Sequence, residues 1–135
     1  MNNNYSWRLQ DHFMNSLGNF DAVITEFNPD QFWQGRVMVH CLNKKDIPLI
    51  PKMIDHKNGL IIVYNQSESK PFQLLLSNAS SMFVVNGRLR FVNEKTGMMA
   101  QDNAPGGNVI FSFSEKDSLA LKKSGLKGVF VPLKI

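Results

Sequence analysis

The chain has 135 residues, 43% of them hydrophobic, which fits a single domain over residues 1–135 with the polar residues 1–4 disordered. A lone cysteine, Cys41, excludes an internal disulfide, and no apolar run of about 18 residues is present that could span a bilayer. The first twenty residues lack the pattern of a secretory signal. A cytoplasmic protein with no membrane partner is therefore expected.

The formal net charge is +4, from 15 Lys and Arg against 11 Asp and Glu. Such an excess favours an anionic partner, although excess lysines also serve solubility alone. The distribution of the basic residues therefore matters more than their number.

The segment YSWRLQDHFMNSLG predicts a helix over residues 5–18. Its apolar residues recur at four-residue spacing, as Leu9, Phe13 and Leu17. Ser6 is suited to begin this helix and Gly18 to end it. One apolar stripe implies one face against a sheet, to which Trp7 would seal the helix.

From Phe20 onward, short apolar or alternating runs rich in Val, Ile and Phe predict seven or eight strands. These runs lie at residues 20–27, 36–42, 59–65, 71–77, 81–85, 88–92, 108–114 and 129–135. Two long loops are predicted between them, at 43–58 and 93–108. Because helices do not alternate with the strands, a parallel sheet is not expected.

A second helix is predicted within SEKDSLALKKSGLKG, residues 114–128. Ser114 and Asp117 have the spacing of a capping box, and Gly125 supplies the residue that ends the helix. The predicted fold class is α+β with mostly antiparallel β structure. It is a single curled sheet, barrel or sandwich of about seven strands, with an N-terminal helix and a short helix before the last strand.

The Asn86-Gly87 pair predicts a hairpin with a two-residue turn. Alternation then predicts one apolar core face, formed by Met82, Val84, Leu89 and Phe91. The opposite face would place Phe83 beside Arg88 and Arg90. An aromatic ring next to guanidinium groups is a platform on which single-stranded nucleic acid stacks, so these three residues form a candidate nucleic-acid site. The alternative is that this face is covered, with the arginine stems packed on Phe83.

No catalytic residue, metal ligand or cofactor motif is predicted. His12, His40 and His56 lack metal-ligand spacing, and no glycine-rich segment has the form of a phosphate loop. His40 and Cys41 are adjacent in a strand, so they point to opposite faces and cannot act together, and Cys41 is expected to be buried with Val37 and Val39. An enzyme is thus unsupported by the sequence.

Three functions from different classes follow. The first is a non-enzymatic binding protein for single-stranded nucleic acid or another anionic partner. The second is a protein-interaction module, such as an inhibitor, immunity or assembly subunit or a homo-oligomer, that uses an exposed strand or the 94–107 loop with Met98 and Met99. The third is a small-molecule site in a barrel or cleft, lined by Phe32 and Trp33, although a Phe-Trp pair also serves to hold a loop on the core. Size and composition also fit a protein of a phage or plasmid.

Overall fold

The computed structural model describes residues 5–134, so the expectation for residues 1–4 lies outside the described part. The described chain forms eight strands, four α-helices and one short 3₁₀ helix at Lys44–Asp46. The strands are β1 Trp7–Arg8, β2 Ala22–Ile24, β3 Val37–Cys41, β4 Gly59–Tyr64, β5 Ser81–Val85, β6 Val92–Asn93, β7 Asn108–Ser112 and β8 Gly128–Pro132. The helices are α1 Asp11–Ser16, α2 Leu49–His56, α3 Lys70–Asn78 and α4 Glu115–Lys122.

The strands form two sheets, and the larger one has six strands in the order β2-β3-β4-β7-β5-β8. β1 and β6 form the smaller, antiparallel sheet. Four of the six strand pairings are antiparallel, which confirms the predicted α+β class with mostly antiparallel strands. The larger sheet is open, with β2 and β8 at its edges, and is not closed into a barrel.

One part of the sheet contradicts the prediction, because β2, β3 and β4 are parallel. The crossover from β3 to β4 is made by the 3₁₀ helix and α2, within a segment that was predicted as a loop. Pro48 and Pro51 suggested a loop, but Pro48 precedes α2 and Pro51 lies in its first turn. A proline is tolerated there because the first N–H groups of a helix have no partner within it.

Residues 71–77 were predicted as a strand and form α3 instead. The helix begins after Ser69, whose hydroxyl accepts a hydrogen bond from the Phe72 N–H at 3.3 Å. Pro71 again lies in the first turn. The three leucines of this segment differ in burial, since Leu75 is buried and Leu74 exposed. This is the pattern of a helix that covers a sheet with one face.

The N-terminal helix is shorter than predicted, because α1 spans only Asp11–Ser16. Trp7 and Arg8 are extended and pair with Asn93 and Val92. The Leu9 N–H donates to His40 Nε2 at 3.0 Å instead of joining a helix. Trp7 is nevertheless buried, as predicted.

The second predicted helix is confirmed as α4. Ser114 caps it by accepting a hydrogen bond from the Asp117 N–H at 3.1 Å, and Gly125 adopts a positive φ beyond its end.

Apolar layers cover both faces of the six-stranded sheet. On one face, α2 and α3 pack through Leu49, Met53 and Leu75 against β3 and β4. On the other, residues of α1 and α4 and of the segment around Phe91 pack against the same strands. All five residues of β3 are buried, as expected for a central strand covered on both sides.

A buried ion pair joins α4 to the sheet. Arg36 Nε contacts Asp117 Oδ1 at 2.5 Å, and the second carboxylate oxygen accepts the Gly59 N–H at 2.9 Å. The same guanidinium donates to the carbonyls of Leu17 and Asn19, just after α1. Both charged side chains are nearly inaccessible to solvent. The ion pair therefore connects the segment after α1 with α4 and β4 at the amino-terminal end of the parallel strands.

The predicted hairpin at Asn86-Gly87 is wrong. β5 pairs with β7 and β8, and residues 88–91 do not return along it. The Asn86 N–H instead donates to the Lys127 carbonyl at 2.8 Å. Phe83 and Val85 lie in the same apolar layer as Phe91, so the predicted assignment of faces also fails.

Within residues 5–134, no helix is long and apolar enough to cross a membrane.

Candidate ligand cleft

The structure separates the three residues of the predicted nucleic-acid platform. Phe83 is only 5% exposed and packs in the core. Arg88 donates to the Pro105 carbonyl at 2.7 Å, and Arg90 donates to the Ala100 carbonyl at 2.6 Å. Both guanidinium groups therefore hold the loop before β7 in place. The ring that was expected to stack on bases is inaccessible.

Phe32 and Trp33, the predicted pocket residues, are also separated. Phe32 is 85% exposed, whereas Trp33 is 6% exposed and belongs to the core beside α2. The Trp33 ring meets the edge of His56, and the Lys52 ammonium lies 4.7 Å from its centroid. Neither residue lines a cleft described below.

A cleft of about 650 Å³ opens where the carboxyl ends of β3 and β4 meet the starts of α2 and α3. Its third side is the loop at residues 105–107 that leads into β7. The apolar part of its lining consists of Leu42, Ile47, Ile50, Val63 and Phe72. Its polar part consists of Asn43, Lys44, Tyr64, Asn65, Gln66 and Ser69. Both the volume and the mixture of apolar walls with a few polar groups are typical of small-molecule sites.

Asn43 is the unusual member of this lining. It lies two residues beyond the end of β3, and its backbone carbonyl accepts the Asp46 N–H that begins the 3₁₀ helix. Its side-chain Nδ2 donates to the Tyr5 carbonyl at 3.1 Å. The residue is only 7% exposed, yet its Oδ1 has no hydrogen-bond partner among residues 5–134. An acceptor buried without a partner destabilises a protein by about 1–3 kcal/mol.

The cleft is nearly neutral at pH 7. Burial raises the pKa of the Tyr64 phenol to about 12, so the ring keeps its proton. Burial, with a smaller contribution from the nearby Asp46 charge, raises the pKa of the Cys41 thiol to about 12. Among residues 5–134, no carboxylate lines the cleft, and Lys44 is its charged lining residue. The start of α3 is a poor anion site, because Pro71 has no N–H and the Phe72 N–H is already capped.

Two glycines form the wall opposite α2. The Gly107 carbonyl accepts the Asn65 N–H at 2.9 Å, which fixes this loop against the end of β4. A Cβ built on Gly107 would meet no atom within 4 Å, so space lies open in front of it. A Cβ on Gly106 would lie 4.0 Å from the Tyr64 ring. The width of the cleft therefore depends on the absence of side chains here.

A second groove, of about 900 Å³, runs along β1 and the loop after β6. It is lined in part by Tyr5, Met98 and Met99, which are all exposed. Met98, at 71% exposure, was predicted as an interaction residue and lies at the surface. Of the buried polar atoms that lack a partner in the described part of the chain, none belongs to a residue that lines this groove.

Residues 5–134 contain no cluster of three or more His, Cys, Asp or Glu side chains that could hold a metal ion. Cys41 is buried with Val37 and Val39, as predicted.

Asn43 was missed because residues 43–58 were predicted as a loop. The available signal was a polar residue at the end of the predicted strand 36–42, where α/β proteins place ligand groups. Comparison of the chain with family models, with curated proteins and with solved structures finds no match.

Proposed function

We propose that this protein binds a small, neutral molecule in the cleft at the carboxyl ends of β3 and β4. The observation that carries the proposal is Asn43, which lines an open cleft and whose buried Oδ1 has no partner among residues 5–134. A small rotation of the Asn43 side chain that turns Oδ1 towards the cleft would let a ligand N–H supply the missing hydrogen bond. Clefts at this end of parallel strands are the usual ligand sites of open sheets that contain βαβ units.

The lining defines the class of ligand. The apolar side chains of Ile50, Val63 and Phe72 favour a ring or other flat apolar body. The Asn43 acceptor favours an amide or amine N–H on one edge of that body. The lack of a lining carboxylate argues against a strongly cationic ligand, and the capped start of α3 argues against a phosphate. Burial of Phe83 makes this site a better candidate than the nucleic-acid platform.

The test uses two flat benzene derivatives of similar size, benzamide and methyl benzoate, of which only benzamide carries N–H donors. Binding is followed by two-dimensional ¹H–¹⁵N NMR at millimolar probe concentrations. Benzamide is expected to shift the Asn43 side-chain amide and the backbone signals of Tyr64 and Gly107. It should bind about tenfold more tightly than the ester, because a donor to a buried unpartnered acceptor contributes about 1–3 kcal/mol.

Gly107→Leu supplies the matched variant, since Gly107 lines the cleft and a Cβ added there meets no atom within 4 Å. It should abolish the benzamide shifts. Gln34→Leu, which adds the same side chain at an exposed position that does not line the cleft, should retain them. Equal binding of the two probes, or binding that survives Gly107→Leu, would show that the cleft does not work as proposed.

A further inference from the structure

The net positive charge of the chain lies in one segment. Residues 118–134 contain four lysines, Lys122, Lys123, Lys127 and Lys134, and no Asp or Glu. The rest of the chain contains the other 11 basic residues and all 11 acidic residues, so it is balanced. The whole formal charge of +4 is therefore carried by the end of α4 and the region of β8.

Within the described part of the chain, residues 5–134, β8 is an edge strand that pairs with β5 alone. Hydrogen bonds from Asn86 N to Lys127 O and from Leu133 N to Ser80 O mark the two ends of its pairing with β5. Hydrogen-bonded pairs alternate in an antiparallel ladder, so Val129 and Val131 direct their backbone groups towards β5. Gly128, Phe130 and Pro132 direct theirs away from the sheet. The free edge thus offers two N–H donors, from Gly128 and Phe130, and three carbonyls.

The side chains along this edge suit an extended partner. Val129 is 62% exposed, although it is a β-branched residue within a strand. Phe130 is half-buried, and the Lys122 ammonium lies 5.6 Å from its ring centroid. Lys127 precedes the strand and Lys134 follows it, so a cation flanks each end. The opposite edge, β2, differs in being three residues long, with Asp21 before it and Glu26 shortly after it.

We propose that β8 is a docking edge for an extended, acidic segment of a partner protein, which adds a strand to the six-stranded sheet. Edge strands recruit peptides through the backbone hydrogen bonds that they leave free, and neighbouring side chains set the specificity. The four lysines favour a segment rich in Asp or Glu. They disfavour a second copy of this chain, since two β8 edges would bring lysines together. Nucleic acid is disfavoured because Phe130 is half-buried and already covered by Lys122.

The test uses a fluorescein-labelled heptapeptide that alternates valine with glutamate, and a second peptide with lysine in place of glutamate. Fluorescence anisotropy measures affinity, and residue-resolved amide hydrogen exchange locates the contact. The acidic peptide should slow exchange of the Gly128 and Phe130 amides at least about tenfold, while the Val129 and Val131 amides, already bonded to β5, should not change. The lysine peptide should leave all four amides unchanged.

Val129→Glu should weaken binding of the acidic peptide about fivefold, because like charges on facing strands repel. Val23→Glu, at an exposed valine of the opposite edge strand, serves as the matched control and should have no effect. Equal protection by the lysine peptide, or equal effects of the two variants, would overturn the proposal. So would binding of a single-stranded 12-nucleotide DNA with no binding of the peptide. Concentration-dependent dimerisation that protects the same two amides without peptide would assign the edge to self-association instead.

Discussion

His40 should make this protein sensitive to mild acid. The imidazole is fully buried on β3, between the segment before α1 and β2. Nε2 accepts the Leu9 N–H at 3.0 Å, which requires Nδ1 to carry the proton and donate it to the Ile24 carbonyl at 3.2 Å. Burial lowers the pKa of His40 to about 4, and the nearby charge of Arg8 acts in the same direction. A second proton would place an N–H against the Leu9 N–H.

The size of the effect follows from the two pKa values. The unfolded chain takes up a proton at His40 near pH 6.5, whereas the folded protein does so only near pH 4. The contribution of the neutral imidazole to the free energy of unfolding is therefore fully present above pH 6.5 and is lost as the pH falls towards 4. Between pH 8 and pH 5 the expected loss in the free energy of unfolding is about 2 kcal/mol, approaching about 3 kcal/mol at lower pH.

Urea unfolding at pH 8, 7, 6 and 5 measures this loss, with His40→Gln as the non-titrating variant. The variant should be less stable at pH 8 but should lose about 2 kcal/mol less than the parent on acidification to pH 5. His12→Gln, which makes the same substitution at an exposed histidine, serves as the control variant. NMR titration of the His40 ring gives the folded-state pKa directly. A ring pKa near 6.5, or parallel stability curves for parent and His40→Gln, would refute the reasoning.

Three further expectations concern single side chains. Asp117→Asn should lower the free energy of unfolding, measured by urea titration, by about 3–5 kcal/mol, because it leaves the buried Arg36 charge without a counter-ion. A loss below about 1 kcal/mol would mean that water reaches the Arg36 guanidinium. Cys41 should react with iodoacetamide at pH 8 about a thousandfold more slowly than a thiol with the ordinary pKa. The reason is that a pKa of about 12 leaves only a very small fraction of the thiol as the reactive thiolate at that pH. Rapid alkylation of the native protein would contradict this expectation. Gly59→Ala should lower the free energy of unfolding by about 3 kcal/mol or more, because the added Cβ would overlap the Val37 carbonyl. Gly107→Ala should change it by less than about 0.5 kcal/mol, because a Cβ there meets no atom. Equal shifts in the melting temperatures of the two variants would refute this contrast.

Local signals in the sequence predicted the elements that depend on local physics. Ser114, Asp117 and Gly125 marked α4 because capping is decided within a few residues. The burial of Cys41 with Val37 and Val39 followed from alternation along one strand. The start of α3 carried a comparable signal, Ser69 followed by Pro71, but its run of leucines also matched a strand.

The pairing of β5 and the solvent exposure of Phe83 depend on distant residues and were predicted wrongly. Asn86 and Gly87 do form a bend, but β5 finds better partners in β7 and β8, which lie far along the chain. The resulting sheet buries Phe83, and with it the predicted platform. Asn43 could be recognised as a site residue only after α2 and the parallel crossover were known, because only the crossover places it beside α3.

The strand order has a consequence for the synthesis of the chain. β7 lies between β4 and β5 in the sheet, although it follows both in the sequence, and β8 also follows β5. β4 and β5 lie two strand spacings, about 10 Å, apart and cannot bond to each other in their native places. A ribosome adds about 5–20 residues each second, so β5 is without either native neighbour for about 1–5 s after it is made. Throughout that interval the apolar run SMFVV at residues 81–85 has no native strand to pair with. An unpaired apolar strand can also pair with other chains, so the rapid arrival of β7 and β8 protects β5 from aggregation.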